Sequence, residues 1–206
     1  MVHFIILRHG ETTYNPIECR RYQGCSDAPL SENGILQSKI TAEFVLKNYK
    51  FDAIYSSHLS RTHTLAKMIG DELGMPVTTY EDLKEIDVGI FTGNLLTDIA
   101  KQYPKELEAL DLYPTTAHFP GGECYDEVYE RAMKSFDRIA KQNEGKTVLV
   151  VTHGGLMRVS LAKWQNVGFF DVPTVGNTSL TLFDYNDGKI TLGMIGNNDH
   201  LPEELR

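Results

Sequence analysis

Two histidines stand in matching local settings: Arg8-His9-Gly10 follows the apolar run Phe4-Ile5-Ile6-Leu7, and His153-Gly154-Gly155 follows Thr147-Val148-Leu149-Val150-Val151-Thr152. A histidine at a strand end is by itself most often a hydrogen-bonded structural group. Two at equivalent strand ends would share one rim of a sheet. The glycine after each lets backbone approach a ligand closely, and the second pair opens a helical segment whose N–H groups favour an anion. Arg8 beside His9, and Arg61 in the first turn after the run Phe51–Ser56, would bring two guanidinium forks to that rim. Such forks match phosphoryl oxygens. The bland alternative for Arg61 is a solvated helix charge.

Both apolar runs are short, continuous and rich in β-branched residues, the pattern of strands buried on both faces. Ser31 offers an N-cap to a helix carried by Leu36, Ile40 and Phe44 and ending near Asn48. Phe51–Ser56 and Val77–Tyr80 read as strands around a helix marked by Leu65, Met68, Ile69 and Leu73, which Gly74-Met75-Pro76 stops. Residues 91–120 are irregular, with short helical pieces broken by Pro104 and Pro114. From Glu123 onward, Tyr125, Val128, Tyr129, Ala132, Phe136 and Ile139 keep helical spacing. After a helical segment from Leu156 to Trp164, strands Ser179–Tyr185 and Lys189–Ile195 flank the turn Asn186-Asp187-Gly188. Strands alternating with helices predict an α/β fold, a three-layer α/β/α sandwich with a mostly parallel sheet and an antiparallel edge. Ligands of such sheets bind beyond the carboxyl ends of the strands.

The chain of 206 residues is 41% hydrophobic and 23% charged, which suits one domain with a real core, and carries a net charge of −8. That sign disfavours nucleic acid and membrane surfaces as partners. There is no apolar run of transmembrane length and no basic leader, so a cytoplasmic location is expected, as a monomer or homodimer. Cys19, Cys25 and Cys124 lack the spacing of a disulfide framework or a thiolate zinc site. Ala140–Thr147 nearly spells a nucleotide-phosphate loop, but Ala140 replaces its first glycine and the helix comes before the strand.

Leu7-Arg8-His9-Gly10-Glu11-Thr12 resembles the signature of the histidine phosphatase superfamily, the phosphoglycerate mutase-like family. Five further blocks fall in the family's order: Asn15 with Gln23-Gly24 and Asp27–Gly34, Ser56–Thr62, Leu83-Lys84-Glu85 with Gly89, Pro120–Glu123, and Thr152–Gly155. The resemblance implies a phosphoglycerate mutase-like fold and a phosphohistidine formed at His9. Arg8, Arg61 and His153 would hold the phosphoryl oxygens, with Asn15, Gln23, Gly24 and Gly154 completing the phosphate site. Glu85 would protonate the leaving oxygen and later take a proton from water. No metal and no cofactor is implied, because arginines and histidines do the charge work.

Thr92-Gly93 stands where many members have Glu-Gly, and Asp87 or Glu81 competes with Glu85 for the acid role; the Leu-x-Glu-x-x-x-Gly match favours Glu85. Glu123 reads as a lid residue or a helix N-terminal charge, and Tyr14, Tyr22 and Phe119 as pocket lining or packing. Residues 90–125 are expected to cap the pocket within a single histidine phosphatase domain, with Lys101 and Lys105 against Asp98, Glu106, Glu108, Asp111 and Glu123. An acidic cap over a positive pocket favours a small single-phosphate ester and argues against polyanionic metabolites. The expected activity is a metal-independent phosphatase; the alternatives are a phosphoglycerate mutase and a non-catalytic phospho-ligand binder.

Overall fold

The computed structural model describes residues 1–206. Its strands are β1 (Val2–Arg8), β2 (Ala53–Ser57), β3 (Val77–Tyr80), β4 (Thr147–Thr152), β5 (Leu180–Asn186) and β6 (Lys189–Leu192). Its helices are α1 (Glu32–Asn48), α2 (Ser60–Leu73), α3 (Leu96–Gln102), α4 (Pro104–Leu112), α5 (Tyr125–Gln142) and α6 (Gly154–Gln165). The strands form one sheet in the order β3-β2-β4-β1-β5-β6, parallel except where β5 and β6 close the edge.

Alternation along the central strands builds a core on each face. Phe4, Ile6, Val148 and Val150 join the larger cluster with Val128 and Phe136 of α5 and Leu156 of α6. Ile5, Leu7, Leu149 and Val151 point the other way, onto Val45 of α1 and Leu65 and Ile69 of α2. A continuous apolar run is therefore what a strand between two helical layers needs. Each such side chain, fully buried, contributes roughly 1.5–3 kcal/mol. The two layers α1/α2 and α5/α6 complete the expected sandwich.

Two expectations about these elements need correction. Ser31 does cap α1, accepting from the Gly34 N–H at 3.0 Å. The buried face of α1, however, is Gly34, Gln37, Ser38, Thr41, Ala42 and Val45, while Leu36 is exposed. The C-terminal tail explains the polar stripe. Gln37 Nε2 donates to the Leu205 carbonyl at 2.8 Å, Thr41 meets His200 at 2.8 Å, and Phe44 stacks on the His200 ring. The last strand also ends at Leu192 and not Ile195. Gly193 N–H donates to Leu182 O while Leu182 N–H donates to Met194 O, so two residues oppose one and a β-bulge interrupts the ladder.

Gly34 marks where α1 supports the first histidine loop. A Cβ built there would lie 1.8 Å from the Glu11 carbonyl oxygen, and one on Gly10 would lie 2.4 Å from the Gly34 carbonyl. Backbone presses on backbone, so no side-chain motion can relieve a clash. Gly34→Ala is expected to cost about 2–3 kcal/mol in urea unfolding, the upper range for overpacking; an unchanged midpoint would show that the contact is soft.

Candidate active site

β1 and β4 run parallel with Arg8 opposite Thr152, so the next residue on each strand, His9 and His153, leaves the sheet side by side. Their ring centroids lie 5.2 Å apart, and both residues are buried. His9 Nδ1 lies 2.7 Å from the Gly10 carbonyl oxygen, which can only accept. Nδ1 therefore carries the proton, and Nε2 keeps its lone pair. Burial pushes the His9 pKa well below its ordinary value, and the charges of Arg61 and Arg8 push it further in the same direction. His153 is shifted down by burial, then by Arg61 and by His9.

Arg61 is fully buried, which rules out the solvated reading. It sits in the first turn of α2 and donates to the Ser26 carbonyl at 2.6 Å and the Gly24 carbonyl at 2.9 Å. Arg8 reaches across to the Val175 carbonyl at 2.6 Å. Its pKa falls to about 10, chiefly through burial, with Glu85 opposing, so it stays cationic at neutral pH. Arg8 Nε, Arg61 Nε and both ring nitrogens of His153 are buried without a protein partner. Buried donors normally find partners. An oxyanion among them would answer several at once.

Glu85 enters from the segment after β3. Its carboxylate accepts from the N–H groups of Ile86 at 2.9 Å, Leu156 at 3.0 Å and Gly155 at 3.1 Å. The anion held by the first turn of α6 is thus Glu85, a correction to the expectation that those N–H groups face a ligand. The glycine pair makes room for this. A Cβ on Gly155 would fall 2.5 Å from Glu85 Oε1, and one on Gly154 would fall 2.9 Å from Arg8 Nε.

The acid segment is braced by a pair the sequence reading missed. Arg131 of α5, itself buried, binds Glu123 at 2.7 and 3.0 Å and donates to the carbonyls of Asp82, Lys84 and Glu85. Glu123 also accepts from the Asp87 N–H. It is neither a lid nor a solitary helix-end charge. The available signal was Arg131 itself, which falls on the apolar stripe of α5 with Val128, Ala132 and Ser135.

A cavity of about 280 Å³ opens over these groups, lined among others by Arg8, His9, Asn15, Gln23, Gly24 and Glu85. Arg61 and His153 are fully buried, and Gly154 lines an adjoining cavity that shares Arg8 and Glu85 with the first. Asn15 Oδ1 accepts from Thr12, which leaves Nδ2 as its donor. Tyr22 and Phe119 line the cavity, but Tyr14 does not; its ring lies under the Arg21 guanidinium. Asp87 caps the Gly89 N–H, and neither it nor Glu81 lines the cavity. None of Asp98, Glu106, Glu108 and Asp111 lines either space, whereas Arg20, Arg21 and Arg158 do. The acidic side chains of the cap thus do not form the pocket wall, although Asp111 lies near enough to Tyr22 and Tyr125, which do, to help burial push both phenol pKa values up. Elsewhere, His118, Cys124 and Glu127 lie close together, but Glu127 already accepts from His118 and the Cys124 N–H. No helix is long and apolar enough to cross a membrane.

The model of the histidine phosphatase superfamily (branch 1) matches residues 4–198, and the chain belongs to that family. It is 34% identical over 202 residues to phosphoglycerate mutase-like protein 4 of Arabidopsis thaliana, covering 97% of this chain and 86% of the relative. It is 35% identical over 176 residues to phosphoserine phosphatase 1 of Hydrogenobacter thermophilus, covering 82% of each. Among solved structures, YhfR of Bacillus stearothermophilus superposes with a TM-score of 0.89 at 27% identity, covering 97% of this chain and 99% of that one. The phosphoglycerate mutase-like α/β fold expected from the motifs is the fold observed.

An ordinary imidazole is half-protonated at about pH 6.5. His9 and His153 are expected to keep neutral-imidazole ¹⁵N shifts through that pH in NMR titration, whereas a half-titrated His9 signal there would contradict the burial argument.

Proposed function

We propose that the protein hydrolyses phosphate monoesters without a metal, through a phosphohistidine at His9. One observation carries the reading: a buried, neutral His9 whose Nδ1 is committed to the Gly10 carbonyl, with Arg8 and Arg61 beside it and Glu85 on the same cavity. The names of the phosphatase relatives support it.

In the first step His9 Nε2 attacks phosphorus in line, an N–P bond forms, and the ester P–O bond breaks. Glu85 enters this step as the carboxylic acid, gives its proton to the departing oxygen, which leaves as an alcohol, and is left as the carboxylate. The charge that spreads over the phosphoryl oxygens is met by Arg8, Arg61 and His153, with the amides of Asn15 and Gln23 as neutral donors. In the second step Glu85 takes a proton from water, the water oxygen attacks phosphorus, and the N–P bond breaks to release inorganic phosphate. The three N–H groups on Glu85 fix its position for both transfers. A proton carrier held in place serves acid and base roles without reorganisation.

Residues 90–125 act as a cap in this reading, since Leu96 and Phe119 from that stretch line the cavity. Three free cysteines fit a reducing, cytoplasmic setting. The mutase alternative rests on the Arabidopsis relative's name. The two activities are separable with p-nitrophenyl phosphate and 3-phosphoglycerate, assayed with and without 2,3-bisphosphoglycerate and in EDTA. Phosphate release is expected from both esters and in EDTA alike; isomerisation outrunning release would overturn the assignment. Glu85→Gln is expected to lower kcat about 10²–10⁴-fold, the span of general acid–base catalysis, and to leave inorganic phosphate binding within about threefold. An equal loss in Asp87→Asn would move the acid.

A further inference from the structure

Outside the active-site cavity, three metal-ligating side chains meet at the start of α5. His118 lies in the stretch between α4 and α5, Cys124 is the N-cap residue of α5, and Glu127 falls in its first turn. An imidazole nitrogen, the Cys124 sulfur and a carboxylate oxygen all lie within 4.8 Å of one another. None of the three residues lines either active-site space, and the chemistry at His9 uses none of them. His118 Nε2 and Glu127 Oε2 are 3.2 Å apart, and the same oxygen accepts from the Cys124 N–H at 3.0 Å. The His118 and Glu127 side chains are exposed, whereas the free thiol of Cys124 is buried.

We infer that His118, Cys124 and Glu127 form a binding site for a zinc-like divalent cation, with water in the fourth position. Imidazole nitrogen, thiolate sulfur and carboxylate oxygen together are a donor set for zinc, whereas magnesium and calcium take oxygen ligands. Metal–ligand bonds of about 2.0–2.3 Å put tetrahedral neighbours about 3.3–3.6 Å apart, so His118 and Glu127 already have that spacing. The buried sulfur is the fixed vertex, and the two exposed side chains need to close on it by about 1 Å. On binding, the Cys124 S–H proton passes to water, neutral His118 gives its Nε2 lone pair, and two metal bonds replace the His118–Glu127 hydrogen bond. Thiolate and carboxylate together match the charge of the dication, and both stand where the N-terminus of α5 favours an anion. A site with one thiolate leaves no cysteine spacing to read in the sequence. The ligands close a turn in which Phe119 N–H donates to Glu123 O at 3.1 Å and Gly122 N–H to Phe119 O at 2.7 Å. The metal thus staples the segment that carries Phe119 to the cavity and Glu123 to Arg131. A structural cation here is compatible with metal-free catalysis at His9, and the inference stands apart from the phosphatase reading.

Titration of the reduced protein with Co²⁺ tests this. The wild-type protein is expected to develop a thiolate-to-cobalt charge-transfer band that saturates at a single equivalent, and Zn²⁺ is expected to displace the cobalt and remove the band. Each ligand has a variant that spares the fold: serine is a good helix cap, Glu127→Gln keeps the acceptor for the Cys124 N–H, and His118 is exposed. Cys124→Ser is expected to lose the band. His118→Ala and Glu127→Gln are expected to weaken zinc binding about tenfold or more, at least the loss that removing an outer partner of a metal site causes. Zinc should raise the thermal unfolding midpoint of the wild-type protein by more than that of Cys124→Ser. A band that persists in Cys124→Ser, or a zinc affinity unchanged in His118→Ala, puts the metal on other groups and overturns the site. So does a wild-type protein that develops no band, or an equal midpoint shift in both proteins. None of these readouts depends on phosphate release, so failure here leaves the phosphatase reading untouched.

Discussion

Two guanidinium groups and two imidazoles share a buried position at the carboxyl ends of β1 and β4, and the rest of the structure serves that arrangement. Burying unpaired positive charge is costly, and the cost is only partly offset by the carbonyls of Gly24, Ser26 and Val175. A phosphoryl dianion would complete the pairing, so the same burial that depresses the histidine pKa values creates affinity for the ligand. Nucleophile and anion site thus arise from one electrostatic cause. A neutral His9 is both the better nucleophile and the state that two adjacent arginines favour.

Holding such a cluster requires rigid neighbours. Parallel pairing of β1 with β4 fixes the spacing of the histidines, and layers of apolar side chains on both faces fix the strands. Gly10 and Gly34 let α1 sit directly against the first histidine loop. Arg131 does the corresponding work for Glu85, tying Asp82, Lys84, Glu85 and Glu123 into one unit through five hydrogen bonds. Breaking a buried pair of this kind typically costs about 3–5 kcal/mol.

The strands were legible in the sequence because burial on both faces demands continuous β-branched runs, and Phe4–Leu7 and Thr147–Thr152 show little else. Two such runs ending at His-Gly were enough to place both histidines on one rim. What could not be read was what depends on distant chain. The polar face of α1 makes sense only with residues 200–205 lying on it. The first turn of α6 looked like a ligand's anion site because nothing in the local pattern shows Glu85 arriving there. The acidic count over 90–125 was real, but charge in a segment is not charge at the pocket it covers. Net charge bounds the partners of a whole surface, whereas specificity depends on which few groups face the recess.

The central claim is that His9 carries the phosphoryl group between substrate and water. Rapid acid-free quenching of the wild-type protein with a ³²P-labelled phosphate ester should trap a phosphoenzyme that is labile to acid and stable to alkali, as a phosphoramidate is. His9→Ala should form none and release phosphate far more slowly. A label that survives in His9→Ala, or turnover by that variant at the wild-type rate, would contradict the account.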